Sequence, residues 1–119
     1  MELLCETLKI GTANYFDYFC GMNTTHNFNP ILSNLGISAL NEMQEVSHDA
    51  IINENNVLLL SPTGSGKTLA FLLPLFELLQ PEILSVQCLI LVPSRELGLQ
   101  IEQVWKKMGT GYKVNVCYG

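Results

Sequence analysis

Basic residues are scarce in this sequence. Six Lys and Arg stand against eleven Asp and Glu, a net charge of −5 at pH 7 over 119 residues. A protein that grips nucleic acid through a broad basic face has the opposite balance. Any nucleic-acid contact must therefore be local, or use residues outside this chain. A run of about 18 apolar residues is also missing, which argues against a membrane-spanning helix. The opening Met1-Glu2-Leu3-Leu4-Cys5-Glu6 has no basic stretch before its apolar residues, unlike a secretory signal. There is no internal repeat and no long low-complexity segment. The cysteines Cys5, Cys20, Cys88 and Cys117 show no C-x-x-C or His spacing. Free thiols in a reducing compartment, and hence a cytoplasmic setting, are the expectation.

What is present is apolar material, 48% of residues, enough for the core of one domain. Its organisation sharpens with position. Residues 1–27 read as an irregular N-terminal extension. Tyr15, Phe16, Tyr18 and Phe19 cluster there, but Gly11, Gly21 and the polar run Asn23 to Asn27 break any period. His26 reads as a solvated loop residue. From 28 onward the pattern improves. Asn29 as cap, Pro30 at the first position and Gly36 past the end predict a short helix. A second helix is predicted from Asn41, with Gln44 in capping-box spacing, to the polar break at Asn53-Glu54-Asn55-Asn56. His48 reads as a residue of its surface.

Strands are predicted at about 56–61, at Val86 to Val92 and at Tyr112 to Cys117. Helices are predicted at about 66–80 and from Arg95 to Lys107. Pro74 should kink or loosen the first of these. Leu97, Ile101 and Val104 share a face of the second. The order β-α-β-α-β implies an α/β domain, a parallel sheet with helices on both faces. The Val86–Val92 run is apolar almost throughout, as strands buried on both faces are. Ligands of such sheets bind at the carboxyl ends of the strands.

The most informative stretch is Ser61-Pro62-Thr63-Gly64-Ser65-Gly66-Lys67-Thr68. It follows the apolar segment Val57 to Leu60 and opens a helix. Strand, glycine-rich turn, Lys-Thr and helix make a phosphate-binding loop. Backbone N–H groups of a helix's first turn have no internal partner and face the positive end of the dipole. Gly64 and Gly66 let the backbone curl around phosphates. Thr63 and Ser65 are small enough not to block the approach. Lys67 supplies a point charge, and the Thr68 hydroxyl is a ligand for a bridging Mg2+. Ser61 stands where the strict pattern has glycine. The bland alternative is a Gly/Ser/Thr turn with no ligand, which Gly-Ser-Gly-Lys-Thr between strand and helix disfavours.

Around this loop the chain resembles the DEAD-box RNA helicases. Ser61 to Thr68 is similar to their first ATPase motif, and Leu69 to Leu75, with its Pro74, also looks like the family. Pro93-Ser94-Arg95-Glu96-Leu97-Gly98-Leu99-Gln100 resembles their RNA-contacting motif. Gly36-Ile37-Ser38-Ala39-Leu40-Asn41-Glu42-Met43-Gln44 resembles their adenine-reading motif. Cys117-Tyr118-Gly119 is similar to the start of a glycine doublet that touches RNA. The resemblance covers residues 28–119 and implies an incomplete RecA-like domain that uses ATP and Mg2+.

It also implies roles for residues. The Gln44 amide, donor and acceptor side by side, would pair with adenine and prefer ATP to GTP. Ile37 and an upstream phenylalanine would complete the base pocket. Phe19 and Phe28 both stay open, with Phe28 favoured because it begins the readable pattern. Pro93, Ser94, Arg95 and Gly119 would hold an RNA backbone without reading bases. Glu96 would brace that loop. Leu40, Asn41, Ser94 and Gly98 depart from the family's Pro, Thr, Thr and Ala. No Asp-Glu pair, no S-A-T motif and no second RecA-like domain with arginine fingers lie within these residues. Phosphoryl transfer needs a complete set of charged groups, so no useful turnover is expected from the 119 residues alone. The alternatives are another P-loop NTPase, such as a nucleotide kinase or a helicase of another class, and a non-functional truncation product with an uncovered apolar sheet face.

Overall fold

The computed structural model describes residues 27–119. The readings made above for Phe19, His26, Cys5 and Cys20 lie outside them. Four helices follow one another: α1 Asn29–Leu35, α2 Glu42–Asn53, α3 Lys67–Leu78 and α4 Arg95–Met108.

The centre of the molecule is α3. Its residues Leu69 to Leu75 are all buried, as expected of a helix apolar on every side. Helix α2 packs on α3, and α4 packs on both α3 and α1. Ile31 and Leu32 of α1, Ile51 of α2, and Ile101, Trp105 and Met108 of α4 close the core around it. Leu72 is fully buried, so truncating it to Ala would cost about 2–5 kcal/mol. Helix α3 runs unbroken through Pro74. That residue cannot donate to Ala70, yet it is among the most deeply buried side chains. Packing on all sides holds the turn that a missing hydrogen bond would loosen.

The helix ends follow local chemistry. Asn41 and Gln44 form the capping box at the start of α2. Ser94 caps α4, its hydroxyl accepting from the Leu97 N–H at 3.2 Å. Gly36 and Gly109 end α1 and α4 in the left-handed region, at φ 70° and 69°. For α1 the cap differs from the sequence reading. Phe28 occupies the cap position, and the Asn27 side chain accepts from the Asn29 N–H at 3.1 Å.

Among the described residues no hydrogen-bonded strand is present at 56–61, 86–92 or 112–117. The parallel sheet expected from the sequence is not formed as a ladder. The three segments nonetheless alternate in burial. Val57, Leu59, Cys88, Ile90, Val92, Val114 and Val116 are partly buried. Leu58, Leu60, Leu89 and Leu91 are 60–71% exposed. Parallel sheets are stable when both faces are covered. Here Val57, Cys88, Ile90, Val92 and Val114 pack against the helical core, while Leu58, Leu60, Leu89 and Leu91 meet solvent.

Two ties fix the 112–117 segment to the helices. The Trp105 indole N–H donates to the Tyr112 carbonyl at 3.1 Å. The Tyr112 hydroxyl donates to the Leu79 carbonyl at 3.1 Å. Burial and, secondarily, Glu82 raise the Tyr112 pKa above its ordinary value.

Candidate functional site

The turn from Ser61 to Gly66 is shaped by its glycines. Gly64 and Gly66 have φ of 80° and 88°, a region that costs larger residues about 1–2 kcal/mol. Gly66 is also the N-cap of α3, so Lys67 and Thr68 are the helix's first two residues. The Ser65 N–H donates to the Pro62 carbonyl at 3.3 Å and closes the turn. The Ser61 and Ser65 hydroxyls are hydrogen-bonded across it. Ser61, at the motif's departing position, thus adds a brace that glycine would lack.

Lys67 folds back over this turn. Its Nζ donates to the Ser61 carbonyl at 2.6 Å and the Pro62 carbonyl at 2.9 Å. No carboxylate pairs with it among the described residues. An ammonium held by neutral carbonyls at the positive end of a helix is uncompensated charge, open to an anion.

The start of α2 is fastened to the same turn. Asn41 Nδ2 donates to the Ser65 carbonyl and Gln44 Nε2 to the Gly66 carbonyl, both at 3.2 Å. Gln44 Oε1 accepts from the Asn41 N–H at 3.0 Å. Gln44 is buried, and its amide is turned into the loop and its own helix cap. The structure therefore unites Gln44 with Thr63 to Thr68, as the sequence motifs imply, but by a contact that local pattern did not reveal. Phe28 packs edge-to-face on His48 with ring centroids 5.4 Å apart. His48 lies one turn beyond Gln44 on α2, and its Nε2 is 2.8 Å from Glu77 of α3. It is thus a helix-to-helix clasp, against its reading as a surface residue. Ile37 packs at the edge of the core, its N–H on the Leu32 carbonyl at 2.9 Å.

A second cluster forms where α4 begins. Val92, Pro93, Ser94, Arg95, Gly98, Val116, Cys117 and Tyr118 line a shallow cavity of about 230 Å³. Pro93, Ser94 and Arg95 come together there with Tyr118, while Gly119 follows it, exposed. The sequence motif that contains Tyr118 gave it no role of its own, and its partner Arg95 is 23 residues away. The sequence reading also missed Asn34, which donates to the Met108 carbonyl at the end of α4 from 74 residues off. Contacts at such separation leave no local signal.

The family model described as DEAD/DEAH box helicase matches residues 41–119. The chain belongs to this family. DEAD/DEAH box membership carries with it the RecA-like P-loop fold class and sets aside a nucleotide kinase. The ATP-dependent RNA helicase DHH1 of Gibberella zeae is 40% identical over 81 residues, 68% of this chain and 16% of that protein. The DEAD-box ATP-dependent RNA helicase CshC of Bacillus cereus is 39% identical over 80 residues, 67% of this chain and 21% of its own length. The probable ATP-dependent RNA helicase YfmL of Bacillus subtilis is 48% identical over 67 residues, 54% of this chain and 18% of its own. The matched region is thus about a fifth or less of each relative. No solved structure matches this chain. Among the described residues no helix is long and apolar enough to cross a membrane.

Proposed function

We propose that this chain forms the ATP-holding and RNA-gripping part of an ATP-dependent RNA helicase, the activity in its relatives' names. The observation that carries the reading is Lys67. Its charge sits at the first residue of α3, over a turn with two glycines of positive φ, and among the described residues it is met only by the Ser61 and Pro62 carbonyls. A triphosphate would replace those carbonyls as its partner and take the free N–H groups of the α3 first turn.

The donor set fits the rest of the ligand. Thr63, Gly64, Ser65 and Gly66 supply backbone around the phosphates. Thr68, next to Lys67, offers a hard hydroxyl oxygen of the kind Mg2+ takes. When bound, Mg2+ would neutralise phosphate charge. Gln44, with Ile37 and Phe28, would select adenine. Its amide has a second N–H beyond the one used on Gly66, and rotation from the Asn41 cap would free its oxygen. Pro93, Ser94, Arg95 and Gly119 would hold an RNA backbone through local contacts, which suits a net charge of −5. In the parent helicase these elements would work with a second RecA-like domain to remodel RNA duplexes, in the cytoplasm, where the free Cys88 and Cys117 thiols persist.

Calorimetric titration with ATP and with GTP tests the reading. Binding of ATP in preference to GTP is expected. Equal affinities overturn the role of Gln44, and absence of any binding overturns the phosphate site. No phosphate release is expected from the 119 residues, which contain no adjacent Asp-Glu pair. Sustained turnover by the purified chain would overturn that expectation.

A further inference from the structure

The Arg95 guanidinium does not extend freely into solvent. Its Cζ lies 4.1 Å from the centroid of the Tyr118 ring, on the ring face. Its Nη2 is also 3.3 Å from the Tyr118 hydroxyl, to which it donates. Both residues are exposed, Tyr118 at 53%. An exposed Arg side chain loses much rotamer freedom when it binds a phosphate, and that loss subtracts from affinity. A ring face that holds the planar fork beforehand removes part of the cost. Arg has five N–H donors, so one spent on Tyr118 leaves a bidentate edge for a phosphodiester.

Gly98 explains why Tyr118 reaches this place. A Cβ on Gly98 would lie 3.3 Å from Val116 Cγ1 and 3.4 Å from Val92 Cγ2. Its absence lets the 112–119 segment run close against α4. The Arg95–Tyr118 pair and the apolar Val92, Gly98 and Val116 line the same cavity.

We infer that Tyr118 is a positioning residue that pre-sets the Arg95 guanidinium for a phosphate of a single nucleic-acid strand crossing the start of α4. The inference rests on the RNA-gripping reading of Arg95 given above. It assigns Tyr118 no base contact of its own; the ring works through Arg95.

A double-mutant cycle on the whole chain tests it, with a short fluorescein-labelled oligouridylate as probe and anisotropy as readout. Tyr118→Ala is expected to weaken binding about two- to fivefold, the size of an exposed cation–π contact. Tyr118→Phe keeps the ring and is expected to keep nearly full affinity. Arg95→Ala is expected to weaken binding at least as much and to lower the salt slope by about one phosphate contact. In the Arg95→Ala background, Tyr118→Ala is expected to have no further effect. Equal losses from Tyr118→Ala in both backgrounds would show that the ring acts by itself, and would overturn the positioning role. A loss with Arg95→Ala but none with Tyr118→Ala overturns the inference and leaves the RNA reading intact. No effect of Arg95→Ala, or no binding by the parent chain, overturns the RNA reading itself. Both side chains are exposed, so unchanged thermal unfolding is expected in every variant.

Discussion

Gln44 of α2 donates through Nε2 to the carbonyl of Gly66, the N-cap of α3, across 22 residues of sequence. The contact is so close that a Cβ at Gly66 would lie 2.5 Å from the Gln44 amide nitrogen. With a φ of 88° at the same residue, two independent reasons demand glycine. Gly66→Ala is therefore expected to lose about 1–2 kcal/mol from backbone strain alone. That should lower the melting temperature by several degrees, and adenine-nucleotide binding should fall with it. An unchanged melting curve would show that neither the positive φ nor the Gln44 contact demands glycine here.

Lys67 gives a cleaner separation of binding from folding. Its partners are two carbonyls of a turn that also holds itself by the Ser65–Pro62 bond. Lys67→Ala should leave thermal unfolding nearly unchanged. It should remove a charge-assisted contact worth about 1.5–3 kcal/mol, about ten- to a hundredfold in nucleotide affinity. Titration calorimetry reads the difference directly, and equal affinity would move the phosphate site elsewhere.

The described thiols differ in environment. Burial pushes the Cys88 pKa above the ordinary thiol value, whereas Cys117 is exposed at the cavity by Arg95. The thiolate is the reactive form, so a raised pKa lowers its fraction at any given pH. Iodoacetamide at neutral pH should therefore modify Cys117 before Cys88, as read by peptide mass mapping. Raising the pH should speed the Cys88 reaction. A bound oligouridylate should slow labelling of Cys117.

How far the sequence foretold this arrangement varies with the range of the contact. The capping box of α2 was legible because Asn41 and Gln44 are three residues apart and the motif is local. The end of α1 at Gly36 was legible for the same reason. The turn from Ser61 to Gly66 was legible because backbone geometry dictates glycine at fixed positions. The partners of Gln44, Arg95 and Asn34 were not, since only folding brings residues 22 to 74 positions away into reach. The Val86–Val92 segment was read as apolar and buried on both sides. Its Cys88, Ile90 and Val92 pack on the helical core, while its Leu89 and Leu91 are exposed.

Such exposure has a measurable consequence. Leu60 and Leu91 are 60% and 71% exposed, and exposed apolar surface promotes association. Leu60→Glu together with Leu91→Glu should reduce concentration-dependent light scattering while leaving the helical circular dichroism intact. Unchanged scattering would place the sticky surface elsewhere.

Trp105 is the chain's single tryptophan. It is 6% exposed, and its indole N–H is bonded to the Tyr112 carbonyl. The protein thereby carries one intrinsic fluorophore at the seam between α4 and the 112–117 segment. Its emission colour is a built-in gauge of whether that seam is shut, free of any background from a second indole.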